Sequence, residues 1–178
     1  GGGGLCVGAN ADVSLSNSIL WNNSSVSGDG EEIFLGAVSD TGSGLIVKHT
    51  TVKGGLSPVF VQAGNHLTWG GGNLDSDPRL VGIHGRLAAD SPCLDAGNSG
   101  ALPLDHLDLD GDGELTELQP FDRDGRRRLI DGDGNGSLLV DMGAYELQVC
   151  QPDLGFGGPG DLRLSVCGEA LDTAGSGA

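Results

Sequence analysis

The sequence predicts an all-β chain built from repeated strand–turn units, and three observations carry that prediction. The 178 residues include 34 Gly and 7 Pro, about 23% of the chain, where average usage gives roughly 12%. Leu, Ile, Val and Phe nevertheless number 46, above the fraction of roughly one-fifth below which a chain cannot bury a core. A glycine-loaded chain that keeps its aliphatics reads as turn-dense β structure. Second, no window sustains apolar spacing at 3.6 for three turns without a Gly, Pro or Asx cluster. Third, the strand pattern repeats. Val13 to Leu20 alternates apolar and polar residues, as does Leu45 to Val52, which marks strands with one buried face. One unit falls on the other at an offset of 32: Val13 on Leu45, Leu15 on Val47, Asn17 on His49, Leu20 on Val52, and Asn22-Asn23 on Gly54-Gly55. A short apolar run, Glu32 to Leu35, lies between them. Such repetition is the mark of a solenoid, in which each coil covers the apolar face of the next.

Charge narrows the partners. Nine Lys and Arg stand against 25 Asp and Glu, a net charge of −16, so a nucleic acid or an anionic membrane surface repels the chain. No run of about 18 apolar residues is present, so no membrane span is expected. The chain opens on four glycines with neither n-region nor h-region, and reads as an internal or processed piece of something longer. Cys6, Cys93, Cys150 and Cys167 form no CxxC pair and have no His at zinc-ligand spacing, so they read as structural thiols or disulfides. Cys150 and Cys167 flank a short segment that a bridge would close; the pairing of Cys6 and Cys93 stays open.

Six ordered blocks then carry a family resemblance. Ser16 to Asn23 (SNSILWNN) resembles a rung of right-handed parallel β-helix proteins, and Thr50 to Gly55 (TTVKGG) the turn that follows it. Asn73 to Leu80 (NLDSDPRL) and Leu87 to Gly97 (LAADSPCLDAG) resemble the next two blocks. Pro120 to Arg128 (PFDRDGRRR) and Val140 to Glu146 (VDMGAYE) resemble the last. Together they are similar to the C-terminal end of secreted bacterial β-helix proteins of the pectate-lyase-like superfamily, of the choice-of-anchor Q type. The resemblance implies an exported, cell-surface or extracellular protein. It also implies that residues 1–72 are β-helix rungs and that residues 73–147 close the helix after its last rungs. Residues 148–178 then read as a linker and the truncated start of a following β domain, with a mobile tail.

The acidic stretch carries the strongest local signal, with nine of the 19 aspartates between Asp105 and Asp141. Asp108, Asp110, Asp112 and Glu114 stand at alternate positions with Gly113 sixth, a pattern that offers hard oxygens and a sharp turn to Ca²⁺. Gln119 at the twelfth position cannot supply the bidentate carboxylate of an EF-hand, and Glu117 at the tenth is the substitute. A second loop offers Asp131, Asp133 and Asn135, with Asp141 ten residues after Asp131. Calcium is the expected cofactor, because carboxylates this dense repel one another without a cation. The bland alternative is a pair of solvated turns.

Other candidates read as structural. Arg126, Arg127 and Arg128 are expected to fork onto carboxylates of the acidic loops; the alternative is the Arg-beside-calcium arrangement of pectate lyases. His49, His66, His84 and His106 share no ligand spacing. His84-Gly85 resembles the His-Gly pair of polygalacturonases, but paired aspartates on neighbouring rungs have no counterpart here. Asn17 above His49 reads as a turn ladder. Trp21 and Trp69 are expected to bury against a coil edge, with sugar stacking the alternative. Asn22 and Asn23 head Asn-x-Ser triplets. The expectation is a non-catalytic structural or adhesive part of an exported bacterial surface protein, stabilised by calcium, whose partners are extracellular polysaccharide or protein. The alternatives are a fragment of a polysaccharide lyase or hydrolase, or a dockerin-like calcium-dependent protein-binding module.

Overall fold

The computed structural model describes residues 2–36, 42–131 and 135–148. Residues 148–178, assigned above to a linker and a further β domain, lie outside the described residues beyond Gln148, as do Cys150 and Cys167. The chain is all-β. Eight short strands form three parallel sheets: β1 (Leu5–Val7), β4 (Ile33–Leu35) and β7 (Phe60–Val61); β2 (Asp12–Ser16), β5 (Gly44–Lys48) and β8 (His66–Trp69); and β3 (Ile19–Leu20) with β6 (Thr51–Val52). Thr51 bridges in parallel to Leu74, which extends the third sheet by one residue. The chain therefore visits the three sheets in the same order three times. Among the described residues no helix is long and apolar enough to cross a membrane.

The 32-residue offset is the observed register. Val13 pairs with Leu45, Leu15 with Val47 and Leu20 with Val52. The third pass follows sooner, with Leu45 on Leu67 and Val47 on Trp69, because the link between its first two strands shortens to residues 62–65 from 36–43. Period-2 alternation sends Leu45 and Val47 inward and Ile46 and Lys48 outward. Inward residues of the first two passes meet in one cluster of Val7, Ile33, Leu35, Leu45, Val47 and Val52, and Leu67 and Trp69 of the third pass pack against it. The middle pass, sandwiched between the other two, is sealed: Leu45 is 1% and Val47 0% exposed. Val13 and Leu15 in the first pass, and Leu67 and Trp69 in the third, are only half-buried. Val61, the third-pass partner of the sealed Leu35, is 38% exposed.

Corners are fixed by left-handed residues and by side chains that bond between passes. Asn17 (φ 51°), His49 (φ 45°) and Gly72 (φ 77°) occupy equivalent positions between the second and third sheets. Non-glycine residues accept this region reluctantly, Asn most readily. At Gly72 a Cβ would also stand 2.5 Å from the His49 ring, so only glycine fits. Ser43 accepts the Ala11 N–H at 3.2 Å and donates its own N–H to Asn65 at 2.9 Å. Asn73 accepts the Thr50 N–H at 3.1 Å and donates to the Val47 carbonyl at 2.9 Å. These bonds satisfy backbone groups where the ladders stop.

The sequence leads one to expect residues 73–147 beyond the last pass, yet their contacts run along the flank of the third sheet. After the antiparallel pair β9 (Leu80–Val81) and β10 (Arg86–Leu87), Leu87, Cys93 and Met142 pack on Ile19 of the first pass and Leu74 of the third. Thr51 of the middle pass lies between, its hydroxyl 3.1 Å from Cys93 Sγ and donating to Met142 Sδ at 3.3 Å. Cys93 is a buried free thiol whose pKa is pushed up by burial, and Cys6 is an exposed one. Backbone bonds anchor the flank: the Gly143 N–H donates to the Asn17 carbonyl at 2.8 Å, and the Asn98 N–H to Asn17 Oδ1 at 2.7 Å. A ring nitrogen of His49 lies 3.3 Å from the Ala96 carbonyl. The left-handed corner residues are thus also the docking points of the flank.

Leu45 and Leu15 both face inward, but only Leu45 is sealed on both sides. Leu45→Ala should cost about 2–5 kcal/mol, the usual range for a buried leucine, and Leu15→Ala clearly less. Urea unfolding of the two variants measures the difference, and equal losses would contradict the sandwiched-pass account.

Candidate metal centre in the acidic loop

The acidic stretch folds as a hairpin whose base is held by backbone pairing. Leu104 and Leu118 form an antiparallel bridge. The Asp105 N–H donates to the Glu117 carbonyl at 2.8 Å, and the Gln119 N–H to the Pro103 carbonyl at 2.8 Å. Pairing therefore sets Asp105 opposite Glu117. Within the loop, Asp108 Oδ1 accepts the Gly113 N–H at 3.1 Å and Asp112 Oδ1 the Glu114 N–H at 2.8 Å. Asp108, Gly111 and Gly113 are left-handed, and each supplies one of the reversals the loop needs.

Two groups of carboxylates result: Asp105, Asp110 and Glu117, and Asp108, Asp110 and Asp112, with oxygens of each group all within 4.8 Å of one another. Asp110 belongs to both. Asp105 is 2% exposed, and its Oδ2 accepts the Leu109 N–H at 2.7 Å. Glu117 Oε1 is shielded from solvent and has no hydrogen-bond partner. Leaving such an atom unpaired is costly. Removal from water, then the charges of Asp110, Asp112, Asp105 and Glu114, push the Glu117 carboxyl above the ordinary carboxylate range. Converging hard oxygens of this kind suit a hard cation. These clusters could hold a metal ion.

Asp108, Asp110 and Asp112, named from the sequence, come together. Glu114 points elsewhere: its Oε1 accepts the Thr116 N–H at 3.1 Å and the Thr116 hydroxyl, which hold its carboxyl below the usual range. Asp105 was missed, and Glu117 entered only as a substitute. The signal that could have found them is the pair of leucines, Leu104 and Leu118, that mark the hairpin base. In the second loop, Asp131 Oδ2 accepts the Gly136 N–H at 2.9 Å while its Oδ1 is buried without a partner. Asn135 donates to Asp95 at 3.1 Å and accepts the Ser137 N–H at 2.7 Å. Asp133 lies outside the described residues.

Asp141 is buried in a network of the flank. Its Oδ1 accepts the Asp95 N–H at 2.8 Å and its Oδ2 the Leu147 N–H at 2.7 Å. Asp122 accepts the Arg126 N–H at 2.9 Å and the Glu146 N–H at 3.0 Å. Arg128 Nε donates to Glu146 Oε1 at 3.1 Å, and the Asp141 N–H to Glu146 Oε2 at 2.8 Å. Of the arginine triplet, then, Arg128 forks onto the closing turn, donating also to the Gly143 carbonyl at 3.1 Å, rather than onto the acidic hairpin. Each carboxylate here ties together turns distant in sequence. Trp69 packs on the main core as expected, whereas Trp21 joins neither hydrophobic cluster. His66, His84 and His106 are exposed, and His49 is the corner residue described above.

No protein-family model matches the chain, and neither does any curated protein or solved structure. The chemistry of the site is therefore read from its own residues.

Burial, followed by the nearby Asp141 charge, raises the Glu146 pKa to about 7 against the opposing pull of Arg128 and the Asp141 N–H. A carboxyl raised in the folded state binds protons there that the unfolded chain has released. Glu146 thus lowers stability as pH rises from about 4.5 to about 7, by up to about 3 kcal/mol. Glu146→Gln should remove that loss, so the variant gains on wild type between pH 5 and pH 8. Urea unfolding at both values checks the sign; a variant that loses ground toward pH 8 would contradict it.

Proposed function

We propose that the chain is the terminal part of a right-handed parallel β-helix with its closing segment, of the choice-of-anchor Q type in the pectate-lyase-like superfamily. In this reading it is a non-catalytic structural or adhesive part of an exported bacterial surface protein, and Ca²⁺ stiffens its acidic hairpin. Its partners are extracellular polysaccharide or protein. The architecture is supported by the three parallel ladders visited in a fixed order and by the six sequence blocks. The single observation that carries the calcium reading is the convergence of Asp105, Asp110 and Glu117, with Glu117 Oε1 buried and unpaired. Ca²⁺ takes six to eight oxygens and tolerates irregular geometry, so three carboxylates leave room for carbonyls and water. Bound there, it would join charges that otherwise repel and so couple directly to folding.

Thermal melts in EDTA, Ca²⁺ and Mg²⁺ test this. At a Ca²⁺ concentration about a hundred times Kd, binding adds about 2.7 kcal/mol, a rise in Tm of about 5–10 °C at this size. Mg²⁺, which demands tighter octahedral geometry, should give less. Asp110→Asn, at the residue common to both clusters, should abolish most of the Ca²⁺ shift. Unchanged Tm in Ca²⁺ would reduce the hairpin to a solvated turn.

A further inference from the structure

The corner where each pass leaves the third sheet holds a cleft of about 530 Å³, to which all three passes contribute. Trp21 follows β3, Glu31 and Glu32 precede β4, Lys53 follows β6, Pro58 precedes β7, and Asp75 follows the Leu74 bridge. The volume falls in the range of roughly 300–1,000 Å³ typical of small-ligand sites. Trp21 is half-buried without packing on either hydrophobic cluster. The cleft therefore has an aromatic wall that the core does not use.

Its charges are unbalanced, with three carboxylates against one ammonium. Glu32 is only 2% exposed, and its oxygens accept the Asn23 N–H at 3.2 Å and an Asn23 Nδ2–H at 2.6 Å. Those bonds orient the carboxylate but bring no positive charge to it. Asp75 Oδ1 accepts the Gly54 N–H at 2.7 Å, and Glu31 is exposed. Lys53 Nζ donates to Asn22 Oδ1 at 2.7 Å. Among the described residues neither Lys53 nor any of the three acids forms an ion pair. A buried carboxylate without a cation beside it is costly, and an incoming cation offsets that cost.

We propose that this cleft binds a primary alkylammonium, the side chain of a lysine carried by a partner protein. The four-carbon stem would lie along Trp21 and Pro58, and the ammonium offers three donors to the carboxylates of Glu31, Glu32 and Asp75. The indole adds a cation–π attraction. A bare metal ion would leave the indole and proline wall unused, whereas a lysine uses both halves of the cleft. A net charge of −16 also draws a basic partner toward the chain. The inference goes beyond the proposed function. None of its residues belongs to the acidic hairpin, so a failed calcium melt leaves it standing and a failed titration leaves the calcium reading standing.

The test is isothermal titration calorimetry of the full chain in EDTA. The probes are the capped peptide acetyl-Gly-Gly-Lys-Gly-Gly-amide, its Nε-acetylated form, its arginine counterpart and n-butylamine. Saturable binding of the lysine peptide is expected, about tenfold weaker once acetylated, and weaker for the arginine peptide and the free amine. Glu31→Gln, at an exposed position where the backbone bond to Gly4 stays in place, should weaken binding about tenfold. Asp29→Asn, an exposed acid outside the cleft, should leave it unchanged. In a Trp69→Phe variant, where Trp21 is the remaining tryptophan, the peptide should change the fluorescence with the same constant. No saturable binding of the lysine peptide, equal binding of its acetylated or arginine form, tighter binding of n-butylamine, or an equal response of Glu31→Gln and Asp29→Asn would each overturn the proposal.

Discussion

The rest of the structure depends on the in-register stacking of parallel strands in the middle pass. Among the described residues no strand exceeds five residues, too short to be stable alone or in an isolated pair. Leu45 and Val47 are sealed because β2 and β8 lie on either side of them in matched register. A one-residue slip would send Ile46 and Lys48 inward and expose the aliphatics. Stability in such an array is close to a sum of neighbour interfaces, and the half-buried inward residues of the outer passes follow from their having one neighbour each.

The flank reinforces this stack from the side. Residues 87–143 reach all three passes, through Ile19, Thr51 and Leu74, and bond to the corner residues Asn17 and His49. The flank contains little regular structure, so its own turns are held largely by buried carboxylates. Asp105, Asp122 and Asp141 each accept backbone N–H groups, and Glu146 accepts the Arg128 Nε–H. A carboxylate that accepts two or three such bonds substitutes for the ladder that irregular backbone lacks.

The same reliance on carboxylates explains the unusual electrostatics of the acidic hairpin. In the acidic hairpin they gather until Glu117 is both crowded and unpaired, which invites a cation.

The sequence by itself determined the all-β class and the 32-residue register of 13–20 on 45–52, because a period-2 pattern fixes which face is buried, whereas each stretch breaks at the left-handed Asn17 or His49 into two strands of different sheets. It also determined the gathering of Asp108, Asp110 and Asp112, since alternate positions in a Gly-rich turn lie close whatever surrounds them. Tertiary structure alone decided what sits far apart in sequence. Asp105 meets Glu117 only because Leu104 pairs with Leu118. Asp141 accepts the N–H groups of Asp95 and Leu147, and Arg128 finds Glu146, because the flank folds back on itself. The lateral position of that flank was equally hidden. Outward-facing Ile19, Thr51 and Leu74 become a buried surface only when all three passes are stacked, and no local pattern announces a surface assembled from three separate turns of chain.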